Sequence, residues 1–147
     1  MSRLVALAGH SLGGYTVVGV AGAWPEWKLA GVRAVLALSP YSQPFLAHGT
    51  IDGVSVPVMY QGGTRDYGIT PSVDKTDGAY ERSADPKYLV VRDGAGHFAW
   101  TNFGRERFRQ PIVRYALAFL DRYVRGDASA SGLTETVPGV ATLRHER

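Results

Sequence analysis

The stretch ALAGHSLGGYT, residues 6–16, decides how this sequence is read. At its centre, Gly9-His10-Ser11-Leu12-Gly13 matches G-x-S-x-G. That pattern sets a serine on a sharp turn between a strand and a helix. Both flanks fit. Leu4-Val5-Ala6-Leu7-Ala8 is a continuous apolar run, as in a strand covered on both faces. Residues 12–23 read as a helix rich in Gly13, Gly14, Gly19, Ala21 and Gly22. Such residues lower helix propensity, and they make sense where a helix lies very close to a sheet. Trp24-Pro25 ends it.

Working outward, three more apolar runs follow. Residues 32–38 (VRAVLAL) predict a second strand, closed by Ser39-Pro40. Residues 54–61 (VSVPVMYQ) predict a third, ended by Gly62-Gly63 and leading to Thr64-Arg65-Asp66. Residues 87–92 (KYLVVR) predict a fourth, ending in Asp93-Gly94-Ala95-Gly96-His97. The polar stretch 67–86 reads as loop with a short helix around residues 76–83. Residues 110–125 carry the strongest helical pattern, with Ile112, Tyr115, Ala116, Phe119 and Tyr123 at three- and four-residue steps. Pro111 suits its first turn and Gly126 caps it. Strands alternating with helices predict an α/β class, with a mostly parallel sheet of about four strands flanked by helices. The expected organisation is one domain over residues 1–126 and a C-terminal tail over 127–147, disordered or docked.

A serine hydroxyl is a poor nucleophile. It needs a base for its proton, an acid to orient that base, and donors for the oxyanion. In open parallel sheets such groups gather at the carboxyl ends of strands. Ser11, Asp66 and His97 follow the first, third and fourth predicted strands. Asp93 and Asp52 are rival acids. Among the other histidines, His10 lies within the turn and reads as structural, while His48 and His145 fall in a loop and near the C-terminal end. Tyr15, Tyr67, Phe98 and Trp100 flank these positions and are candidates for an acyl pocket or for plain packing.

GHSLGG, PVMYQGGTRDYGITP and DGAGHFAW resemble the α/β-hydrolase superfamily, in its dienelactone-hydrolase-like esterase branch. The resemblance covers about residues 3–125. It implies Ser11 as nucleophile, Asp66 as acid, His97 as base and the backbone N–H of Leu12 as an oxyanion donor. It also implies that the four strands here match strands five to eight of the family, so the fold expected is a truncated α/β-hydrolase. Dienelactone hydrolases proper carry cysteine at the nucleophile position, and serine here favours an ordinary carboxylesterase acting on short acyl esters. A weakly active or non-catalytic remnant serving as an assembly module, or a lactonase or polyester depolymerase with the same three residues, are the alternatives. The family's first four strands have no counterpart in this sequence, and with them goes the loop giving the second oxyanion donor. The edge of Leu4-Val5-Ala6-Leu7-Ala8 is then bare and apolar, without protecting proline or charge. That predicts a homodimer or higher homo-oligomer through this strand edge or the adjacent helix.

Composition narrows the field further. The 147 residues hold no cysteine, which excludes a thiol nucleophile, a disulfide and a cysteine zinc site. Four dispersed histidines show no metal spacing, so no metal and no cofactor are expected. A net charge of +3 is mild, and the cluster Arg105, Arg107 and Arg109 is too short for a nucleic-acid stripe. No apolar run approaches a membrane span. No signal peptide is recognisable, so a cytoplasmic location is expected.

Overall fold

The computed structural model describes residues 4–147; the first three residues of the domain expected over 1–126 lie outside it. The apolar runs assemble as one five-stranded sheet in the order β1-β2-β3-β4-β5. These strands are Val5–His10 (β1), Val32–Leu38 (β2), Val58–Gly63 (β3), Lys87–Arg92 (β4) and Val140–Glu146 (β5). The first three pairings are parallel and the last is antiparallel. The α/β class with a mostly parallel sheet is what the chain adopts, with one strand more than about four.

That extra strand comes from residues 127–147, which the sequence presents as a tail. Of the two states expected for it, disordered or docked, part of this stretch takes the second, as the edge strand beside β4. Lys87 pairs with Glu146 in register, and their charged ends meet at 3.1 Å. Val140 and Leu143 pack against a core cluster. An edge strand covered on one side reads as half polar, so VATLRHE gives a weaker signal than the runs buried on both faces.

Side chains alternate across the sheet, as the two-residue period requires. Val35 and Ala37 join one core with Val18, Phe45, Val73 and Tyr80. Ala34 and Leu36 join the other with Met59, Tyr88, Tyr115 and Phe119. The first face is covered by α1 (Leu12–Val18), α2 (Gln43–His48), α3 (Thr70–Asp74) and α4 (Ala79–Arg82). The second is covered by α5 (Glu106–Tyr123). The helix expected over residues 12–23 is α1 followed by a π-helical turn, Gly19–Ala23. The short helix expected near residues 76–83 is α4, and a further short helix, α3, precedes it. The third strand starts four residues later than expected, beyond Pro57, which has no N–H for a ladder.

Helix α5 also begins earlier than expected, which places Pro111 inside it. Proline has no N–H, so the carbonyl four residues back loses its helical partner. That carbonyl belongs to Arg107, and the buried Arg92 of β4 donates its Nη2–H to it at 2.9 Å. The local pattern cannot reveal this compensation, because Arg92 comes from a different element. No helix among the described residues is long and apolar enough to cross a membrane.

Candidate active site

The G-x-S-x-G turn forms between β1 and α1. Ser11 has φ 57° and ψ −115°, a backbone conformation unusual for any residue with a Cβ. Its N–H donates to Leu38 O at 3.1 Å, and its carbonyl accepts from Tyr15 N–H and Tyr41 N–H at 3.0 and 3.1 Å. Neighbours on both sides therefore hold the strained turn. A Cβ on Gly9 would overlap the Gly13 carbonyl, which explains the first glycine of the pattern. The second, Gly13, has open space around its Cα. Gly14 is the tighter one: a Cβ there would lie 2.7 Å from Pro40 Cβ.

Three predicted residues meet at the carboxyl ends of the strands. His97 Nε2 lies 2.8 Å from Ser11 Oγ, and His97 Nδ1 lies 3.2 Å from Asp66 Oδ1. Asp66 is buried, while His97 is a quarter exposed. This is a hydroxyl–imidazole–carboxylate chain. In such a chain the carboxylate holds the proton on Nδ1, leaving the Nε2 lone pair to take the hydroxyl proton. Leu12 is the first residue of α1, so its N–H belongs to the first turn, whose donors have no intrahelical acceptor. The rival acids lie elsewhere. Asp93 is exposed and accepts from Thr64 Oγ1 at 3.2 Å. Asp52 is exposed on the 3₁₀ turn Ile51–Gly53, which precedes β3 and so lies toward its amino end.

Sequence reasoning missed two hydroxyls that complete this cluster. Ser39, fully buried, donates a short hydrogen bond to Asp66 Oδ2, and its Oγ lies 3.0 Å from His97 Nδ1. Thr70 Oγ1 donates to the same Oδ2 at 3.1 Å and accepts from Gly63 N–H at 3.0 Å. Nothing local in the sequence marks Ser39; it meets His97 and Asp66 because β2, which it follows, lies between β1 and β3 in the sheet. His10, read as structural, donates Nε2–H to the His97 carbonyl at 2.6 Å and lies 4.8 Å from its ring. It braces the loop that carries the imidazole.

The proposed pocket residues divide. Phe98 is exposed and packs edge-on to His97 at 5.4 Å. Tyr67 is exposed beside Asp66. Trp100 is tied down, donating its indole N–H to Gln61 Oε1 at 3.0 Å. Tyr15 belongs to an aromatic cluster with Trp24, Trp27 and Phe45, and its hydroxyl accepts from Trp24 Nε1 at 2.7 Å. Packing between α1 and α2 accounts for Tyr15 without a pocket. An open cleft of about 250 Å³ adjoins His97, lined by Phe98, Phe103, Arg65, Arg105 and Arg107 among others.

No protein-family model matches this chain, and no curated protein matches it in sequence.

Proposed function

We propose that this chain is a serine carboxylesterase of α/β-hydrolase type, acting on short acyl esters. The observation that carries the reading is the spatial order Ser11 Oγ, His97 Nε2, His97 Nδ1 and Asp66 Oδ1, with Ser11 Oγ in hydrogen-bond contact with Nε2 at 2.8 Å and Asp66 Oδ1 at ion-pair distance from Nδ1, 3.2 Å. Ser11 Oγ attacks the ester carbonyl as His97 Nε2 takes its proton. The oxyanion that forms is met by the N–H of Leu12. His97 then gives the proton to the departing alcohol. Water, deprotonated by the same Nε2, attacks the acyl group on Ser11, releases the acid and returns the proton to Ser11. Asp66 keeps the imidazole in the required tautomer and offsets its positive charge. Within this reading, β1 to β4 correspond to strands five to eight of the family, and β5 is an addition to them. The test is hydrolysis of a chromogenic acetyl or butyryl ester, together with labelling by a fluorophosphonate. Label on Ser11 and its loss in Ser11→Ala support the reading. Label on another serine, or full turnover in the variant, overturns it.

The same reading includes a homodimer through the β1 edge. Among the described residues β1 is an outer strand, and Leu4 and Val5 are about half exposed. Antiparallel pairing of two such edges would satisfy their N–H and C=O groups. Light scattering at micromolar concentration tests this, and a stable monomer would overturn it.

A further inference from the structure

We infer that Ser39 is a positioning residue that orients His97 and Asp66 together. This rests on the esterase reading for its effect on turnover, but its hydrogen-bond content stands on the geometry alone. A serine hydroxyl carries one proton and two lone pairs. The carboxylate of Asp66 can only accept, so the Ser39 proton points at Oδ2. The Ser39 oxygen is then free to accept from His97 Nδ1–H, 3.0 Å away. That is nearer than the 3.2 Å from the same nitrogen to Asp66 Oδ1. Of the two contacts only that to Ser39 has hydrogen-bond geometry, so the imidazole Nδ1–H is directed at the Ser39 oxygen, while Asp66 Oδ1 stands at ion-pair distance and is tied to Ser39 through Oδ2. Asp66 Oδ2 is occupied by Ser39 and Thr70, which turns Oδ1 toward the imidazole.

The backbone supports a positional role. Ser39 sits at φ 43°, immediately before Pro40, where a side-chain-bearing residue is disfavoured. Its N–H donates to Gln61 O at 2.7 Å, and this anchor turns the side chain toward the site. Burial of the hydroxyl without partners would be costly; here every capacity used is directed at the two groups behind the nucleophile.

The experiment uses the full chain with Ser39→Ala and Ser39→Gly, the second of which relieves the left-handed backbone. Each is also combined with Asp66→Asn. Loss of one hydrogen bond to a charged group predicts a fall in kcat of about 10–100-fold with KM within about twofold. On the Asp66→Asn background the same change is expected to cost less than about threefold, because both substitutions remove one linked network. Proton NMR supplies a readout independent of turnover: the downfield His97 Nδ1–H resonance of the parent chain moves or exchanges away in both variants. An unchanged resonance in a variant that still folds, or kcat effects that multiply in the double variant, would overturn the inference. If Ser11→Ala retains turnover while the resonance still responds to Ser39, the esterase reading fails and the hydrogen-bond assignment stands.

Discussion

Ser11 and Ser39 occupy equivalent places on neighbouring strands. Each is the residue that follows the last one of its strand, and each donates its N–H to the final paired carbonyl region of the next strand, Leu38 O for Ser11 and Gln61 O for Ser39. Both then turn into the left-handed region, at φ 57° and 43°. Conformations of this kind cost on the order of 1–3 kcal/mol and persist where the surroundings hold them. The two hydroxyls end on opposite nitrogens of one imidazole: Ser11 at Nε2, partly exposed, and Ser39 at Nδ1, fully buried. The difference between them is one strand of displacement in the sheet. A hydroxyl at the outer position can meet a substrate. A hydroxyl one strand inward can only meet the protein.

That comparison can be broken in several ways. The largest effect is expected from Ser11→Ala, with turnover lowered by roughly 10⁶-fold, as when a triad nucleophile is removed; steady-state kinetics on a chromogenic ester, with mass spectrometry of the phosphonylated chain, measures it. Asp66→Asn comes next, at about 10⁴-fold in kcat, because the wrong imidazole tautomer is then favoured. Asp93→Asn is the matched control and should leave kcat within about threefold, since its carboxylate answers Thr64 and not His97. Reversal of that order would remove Asp66 from the site. The Ser39 variants fall below both.

Gly14→Ala probes the contact between the two serine turns themselves. The new methyl would lie 2.7 Å from Pro40 Cβ and 2.8 Å from Pro40 Cα, both on rigid structure. A loss of about 1–3 kcal/mol of stability is expected from such overpacking, read as a lower urea midpoint, together with reduced turnover as the turns separate. Gly13→Ala, with open space around it, should lose far less.

The smallest effect on turnover is expected from Tyr60→Phe, one residue before the carbonyl that anchors Ser39. Burial pushes the Tyr60 phenol up from 10.0 to about 12, against the opposing hydrogen bond with Ser83. The folded chain thus keeps a proton that the unfolded chain releases first. The contribution is present in full below pH 10 and is lost as the pH rises toward 12, about 2–3 kcal/mol in all. Tyr60→Phe should make the alkaline limb shallower in urea melts run between pH 9 and about 11.5 without abolishing it, since burial also raises Tyr80 and Tyr88 to about 12, with little change in kcat at neutral pH.

Much of the candidate site is legible in the sequence. G-x-S-x-G set between an apolar run and a helix marks Ser11, and the short loops after the third and fourth apolar runs hold Asp66 and His97, with Asp93 beside them as a rival acid. These are local signals, since turn-forming residues and continuous apolar runs are read from residues close in sequence. Helix α5 starts ahead of the proline that the local pattern places in its first turn, because that proline is tolerated through Arg92, a partner from another element. The edge strand β5 was passed over because a strand with one covered face carries only half the apolar pattern.

The sequence by itself determined that strands and helices alternate, and that a serine, an aspartate and a histidine lie just beyond the ends of three of those strands. Only the tertiary structure decided which strand lies between which. That order brings Ser39 and Thr70 onto Asp66, puts Tyr15 into packing with Phe45, and sends Asp93 to Thr64. The physical reason is range. Turn and strand preferences act over a few residues, whereas a hydrogen bond across 58 positions, as from Ser39 to His97, exists only once the sheet has been assembled.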